Sequence, residues 1–163
     1  MNERSVGGCN DNADVRRIVV GLDGSPQSLS ALEWAAHQAE LTGFVVEVVM
    51  TWEWPIEYGW AFLPGSDYVP TARPQAILDQ AIGVFQKKHP TVTFHPSLIE
   101  GHAASALVSA SQGAEVLVVG SRGHGAFAGM LLGSVSQHCV AKARCPVLVL
   151  HNDAEMVGRE VSA

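Results

Sequence analysis

Cysteine is scarce in this sequence, and the three that occur, Cys9, Cys139 and Cys145, make no Cys-x-x-Cys spacing. An odd, scattered set argues against a disulfide framework and against a structural zinc site, and it fits a reduced, cytoplasmic protein. Basic residues are also few: ten Lys and Arg against sixteen Asp and Glu leave a formal net charge of -6. With no basic cluster to reverse that balance locally, neither nucleic acid nor an anionic membrane is an expected partner. No apolar run approaches the length of a membrane span. The opening "MNERSVGGCNDNADV" has no apolar stretch of the kind a secretory signal requires, so no leader is expected. Low-complexity tracts and internal repeats are missing too. What remains is a chain of 163 residues, 47% hydrophobic, which by length is one globular domain with enough apolar material for a core.

Five short runs rich in β-branched residues read as strands: "RRIVVGL" (Arg16 to Leu22), "FVVEVVMTW" (Phe44 to Trp52), "TVTFHPSLIE" (Thr91 to Glu100), "EVLVVG" (Glu115 to Gly120) and "PVLVLH" (Pro146 to His151). The first, fourth and fifth are nearly continuous in apolar residues, the pattern of strands covered on both faces. Pro96 in the third suggests an edge position or a bulge. Helical patterns fill the intervals. "SPQSLSALEWAAHQAELTG" offers Ser25 as N-cap, Pro26 at the first helical position and Gly43 as the stop, with Leu29, Leu32, Ala36 and Ala39 on one face. "PQAILDQAIGVFQKKHP" places Ile77, Ala81 and Phe85 (or Val84) together, "HAASALVSASQG" runs to Gly113, and "SVSQHCVAKA" spans Ser134 to Ala143. Strands alternating with helices of this length imply right-handed crossovers and a doubly wound parallel sheet, an α/β fold with five strands and four helices. One connection is out of proportion: Glu53 to Pro74 carries Trp54, Tyr58, Trp60, Phe62 and Tyr68, and reads as a cover for the sheet edge, a lid or a partner surface.

The most informative stretch is "VVGSRGHGAFAGMLLGSVSQHCVAKARCPVLVL", in which Gly120, Gly123, Gly125, Gly129 and Gly133 lead into a Ser-rich helix start. In an open α/β sheet, ligands sit beyond the carboxyl ends of the strands, where helix N-termini point. Glycines there permit positive φ and a close approach of main chain to ligand. A helix start offers unpaired N–H groups and partial positive charge, which suits phosphate, and the hydroxyls of Ser134 and Ser136 add donors. Ser134-Val135-Ser136-Gln137 also matches a capping box, so Ser134 is read equally as a cap of its own helix. Arg122 could pair with phosphate or lie exposed, and His124 reads as a turn residue. The loop is neither a Walker loop, since no lysine stands at the helix start, nor a Rossmann turn, since it follows the fourth strand rather than the first.

The spacing Gly120-x2-Gly123-x9-Gly133-Ser134 resembles the G-x2-G-x9-G-S/T signature of the ATP-binding branch of the universal stress protein family. "IVVGLDGSPQSLSALEWA" resembles the family's first strand and turn, with Asp23 at the acidic position, and "VVMTWEWP" resembles the end of its second strand. The resemblance runs through the close of the sequence, from Arg16 to His151. It implies a domain over 16–151 between a flexible tail at 1–15 and a C-terminal tail at 152–163. It further implies a Rossmann-like, adenine nucleotide-binding sheet in the order 3-2-1-4-5, whose switch point lies between strands one and four.

Carried over residue by residue, the resemblance nominates Gly21, Asp23, Met50 and Thr51 for adenine and ribose. It nominates Gly120, Gly123, Gly133, Ser134, Val135 and Ser136 for ribose and phosphates, with Arg122 nearby. Asp23 could accept from a ribose hydroxyl or the adenine amino group, or could cap the turn before Gly24. The implied ligand is ATP, or AMP or cyclic AMP, with Mg²⁺ bridging the phosphates. The implied function is a nucleotide-dependent regulatory role in stress. The alternatives are slow ATP hydrolysis or a protein-interaction role with a vestigial site. No catalytic residue is assigned: for base and charge neutralisation only Asp23, Arg122 and His124 are available, and none is clearly placed for phosphoryl transfer. "PVLVLH" would be an exposed apolar edge in a monomer, and in the family this strand commonly pairs with its two-fold mate, so a homodimer is expected.

Overall fold

Strands whose residues are apolar without alternation need cover on both faces, and the fold supplies it. The structure, a computed structural model, describes residues 16–54, 71–123 and 131–151. The elements in chain order are β1 (Arg17–Gly21), α1 (Pro26–Thr42), β2 (Val45–Trp52), α2 (Ala72–Lys88), β3 (Phe94–Glu100), α3 (Ala103–Ala110), β4 (Val116–Gly120), α4 (Ser134–Lys142) and β5 (Val147–Leu150). The strands form one parallel sheet in the order β3-β2-β1-β4-β5. Ile18, Val20, Val46, Val48 and Val118 meet α1 and α2 on one face. Val19, Val49, Leu117 and Val119 meet Leu107 of α3 and Cys139 of α4 on the other. Period-two alternation thus fills two cores from the same strands.

The start and stop signals of α1 hold. The Ser25 hydroxyl accepts from the Ser28 N–H, Pro26 opens the helix, and Gly43 closes it in the left-handed region at φ 73°. Leu32, Ala36 and Ala39 are buried as the pattern requires, whereas Leu29 is partly exposed. On α2, Phe85 is buried and Val84 is exposed, which decides between them. That helix begins at Ala72 rather than Pro74, with Thr71 as N-cap, so the connection from β2 is shorter than expected. Trp54 packs edge-on against Trp52 at 5.5 Å. The rest of that connection, with Tyr58, Trp60, Phe62 and Tyr68, lies outside the described residues. β3 is an edge strand, as Pro96 suggested, but starts at Phe94 rather than Thr91, and α3 ends at Ala110 rather than near Gly113.

At the C-terminal end of α2 a charged cluster ties that helix to α1. Lys88 Nζ stands 2.5 Å from Glu33 Oε1, and the buried His89 ring places Nδ1 2.9 Å from Glu40 Oε1 while stacking on Phe85. Partial burial works to raise the Glu33 pKa, but the hydrogen bond and charge of Lys88, joined by His89, outweigh it and hold the carboxyl below its ordinary value. A lowered folded-state pKa stabilises the protein above the unfolded carboxylate range and loses that effect as pH falls through the folded value. The pair is half-exposed and screened, so Glu33→Gln should cost less than about 1 kcal/mol at neutral pH. Urea denaturation at neutral pH and again below both pKa values checks this: the difference between the two proteins should vanish in acid.

Candidate functional site

β1 and β4 are neighbours whose crossovers leave in opposite directions, so a crevice opens beyond their carboxyl ends. It holds a cavity of about 540 Å³. All eleven residues nominated from the sequence line it: Gly21, Asp23, Met50, Thr51, Gly120, Arg122, Gly123, Gly133, Ser134, Val135 and Ser136. Sequence reasoning missed Val49 on β2, Val119 on β4, Ala103 and Leu107 of α3, Leu22 and Ser28 near the start of α1, and Gln137 of α4. The alternation that sends Val49 and Val119 to the α3 side was available in the sequence. That α3 would lean over this end of the sheet was not.

Several of these residues do something other than their sequence reading suggested. Gly120 is a glycine for packing: a Cβ there would stand 2.8 Å from Gln27 Cβ and 3.0 Å from the Gln27 carbonyl carbon. Gly21 is similar, since a Cβ would meet Leu107 Cδ1 at 3.0 Å. At Gly123 a Cβ would collide with Asp23 Oδ2, so this glycine lets the two loops meet. None of the three has a positive φ; that conformation belongs to Gly24, at 82°, in the turn after Asp23. Gly133 differs from them all. It stands at φ -74° and ψ 165°, which any residue adopts, and a Cβ would find no atom of the described residues closer than 3.6 Å.

Asp23 does cap its turn, accepting from the Ser25 N–H at 2.9 Å through Oδ1, while Oδ2 reaches toward Gly123. Met50 is buried in the core shared with α1 and α2, which leaves its main chain to face the cavity. Ser134 is not the N-cap of α4; Gly133 is, and no side chain caps that helix. The expected capping box therefore does not form: Gln137 sends Nε2 to the Leu132 carbonyl at 2.9 Å instead. The Ser136 hydroxyl is likewise not turned to the cavity but donates to main-chain carbonyls behind it. Since the first N–H groups of a helix have no intrahelical acceptor, the start of α4 presents donors and partial positive charge to the cavity. Arg122 is an exposed cation at the same end, and His124, Gly125 and Gly129 lie outside the described residues.

The chemistry around this cradle is not nucleophilic. Cys139, one turn along α4 from Ser136, is buried, and burial first and Cys145 second push its thiol up to about 11. Among the described residues no three His, Cys, Asp or Glu side chains gather in a way that could hold a metal ion. The lining combines apolar side chains (Val49, Leu107, Val119) with main chain, small hydroxyls, the Asp23 carboxylate, the Gln137 amide and the Arg122 guanidinium. That combination suits a flat heteroaromatic ring joined to an anionic group.

Comparison with known proteins gives a concordant result. The profile of the universal stress protein family matches residues 14–151. Universal stress protein Rv2005c of Mycobacterium tuberculosis is 35% identical over 133 residues, and Rv2623 of the same organism is 32% identical over 133; each alignment takes in 81% of this chain and 44% of the relative. The chain thus spans less than half the length of these curated relatives. A solved universal stress protein in complex with cAMP is 28% identical and superposes with a TM-score of 0.63, covering 84% of this chain and 97% of that one. With the sheet order, the glycine spacing and the family match in agreement, this chain belongs to the universal stress protein family.

Proposed function

We propose that this protein binds an adenine nucleotide, ATP or a related one such as AMP or cyclic AMP, in the crevice between β1 and β4, and that occupancy sets its regulatory state in a stress response. The observation that carries the reading is Gly133. Neither its backbone conformation nor the described residues around it require a glycine there, whereas a ligand lying on the uncapped start of α4 does. Support comes also from the 28%-identical relative, which was solved in complex with cAMP. The base would lie against Val49, Leu107 and Val119, with Asp23 and the main chain of Met50 and Thr51 at its edge. Gly120, Arg122, Gly123, Gly133, Ser134, Val135 and Ser136 would surround the ribose and phosphates. Mg²⁺ would be carried chiefly by phosphate oxygens, with Asp23 the carboxylate lining the cavity, since among the described residues no cluster of protein ligands forms. Slow hydrolysis is the second reading, and Asp23 is the group within the described cavity that could orient water.

The remaining features of the reading are a domain over 16–151, a cytoplasmic location and a homodimer through Pro146 to His151. Among the described residues β5 pairs with β4 alone, so it forms an edge of the sheet, with Val147, Leu148, Val149 and Leu150 half-buried. Sedimentation equilibrium should give the mass of two chains at micromolar concentration; a single-chain mass throughout overturns the dimer.

Calorimetric titration of nucleotide-stripped protein with ATP and Mg²⁺ tests the site. The native protein should bind, and Gly133→Val should lose at least about tenfold in affinity, one well-placed charge-assisted contact, with its melting temperature little changed. Absence of binding by the native protein overturns the reading. Gly120→Ala separates packing from recognition: overpacking against α1 should destabilise the fold by about 1–3 kcal/mol, read as a lower denaturant midpoint at an unchanged slope.

A further inference from the structure

We propose that Ser136 is a positioning residue for the phosphate end of this cavity, acting through the main chain of the preceding loop and not by touching the ligand. The inference deepens the nucleotide reading above and rests on it.

Ser136 is only 2% exposed. Its Oγ stands 3.0 Å from the Ser121 carbonyl oxygen and 2.9 Å from that of Gly133, so one hydroxyl proton is shared between two acceptors. The Ser121 oxygen also accepts from the Gly133 N–H at 2.7 Å, and the Ser121 N–H in turn donates to Leu150 at 2.7 Å. The Gly133 carbonyl already receives the first helical bond of α4, from Gln137 N–H at 3.0 Å. The distinctive contact of the Ser136 side chain is therefore with Ser121, where it fastens the segment leaving β4 to the first turn of α4.

Peptide planarity turns that contact into a device for orienting dipoles. In a trans peptide the carbonyl and the following N–H point in opposite directions. Holding the Ser121 carbonyl toward α4 therefore turns the Arg122 N–H away from α4. Holding the Gly133 carbonyl along the helix turns the Ser134 N–H outward from its start. A carbonyl that swung toward the cavity would put partial negative charge where phosphate belongs. The hydroxyl of Ser136 joins the Gly133 N–H in opposing that rotation at Ser121, and Gln137 Nε2 does the same for the Leu132 carbonyl. The bound anion then meets N–H groups set in place before it arrives, which lowers the cost of ordering them.

The test compares ligands with and without phosphate. Ser136→Ala, Ser136→Thr and Ser136→Val are titrated with ATP–Mg²⁺ and with adenosine, alongside the native protein. The alanine variant should bind ATP about tenfold more weakly and adenosine unchanged. Threonine restores the hydroxyl and valine matches threonine in size without it, so threonine should bind ATP better than valine at equal thermal stability. That pair carries the comparison even if alanine lowers the melting temperature. Equal losses for ATP and adenosine, no loss for ATP, or a valine variant as good as threonine overturns the inference while leaving nucleotide binding intact. A native protein that takes up neither ligand overturns the nucleotide reading and this inference with it.

Discussion

The arrangement of this site depends on how closely β4 can approach the first turn of α1. Gly120 presses on Gln27 and Ser28 with no room for a single methyl group between them. That contact closes one side of the crevice at the switch point. What is left open is the side under α3 and α4, where Leu107 and the start of α4 form the walls. The doubly wound sheet makes a crevice possible; one missing Cβ determines which face of it is hollow.

The two helix starts that flank this crevice are handled in opposite ways. At α1 the donors are consumed locally. Ser25 accepts from the Ser28 N–H, Ser28 Oγ donates to the Ser25 carbonyl and accepts from the Asp23 N–H, and Asp23 accepts from the Ser25 N–H. At α4 the N-cap is a glycine without a side chain, and the serine beside it caps nothing. The hydroxyl that could have turned forward, on Ser136, is directed back to Ser121. A turn capped by its own side chains thus stands opposite one with no side-chain cap. Net electrostatic attraction of the whole protein plays no part in this, since the chain carries a formal charge of -6; the attraction for an anion is local and dipolar.

Much of this was legible in the residues. Continuous apolar runs alternating with capped, amphipathic segments led to the parallel sheet, and the Ser25-Pro26 and Gly43 signals bounded α1 correctly because caps and stops are local chemistry. The glycine spacing found the residues that line the cavity. It did not reveal why each one is glycine. The partners that exclude a side chain at Gly120, Gly21 and Gly123 are Gln27, Leu107 and Asp23, far away in sequence and brought near only by the crossovers. The same distance hid the role of Ser136, whose hydroxyl could as well have met a ligand or its own helix. The capping box did not form because spacing alone does not place the helix start: Gly133, not Ser134, is the N-cap, and Gln137 donates to the Leu132 carbonyl. Met50 was placed correctly at the end of β2, but strand parity sends its side chain into the opposite core.

The open start of α4 has one more consequence. An anion cradle made of peptide N–H groups has no proton of its own to gain or lose, unlike one made of lysine or histidine. A nucleotide held there would answer to acidity through its own terminal phosphate, whose second ionisation falls at about pH 6. The peptide donors of such a cradle would add no titration of their own to that of the ligand.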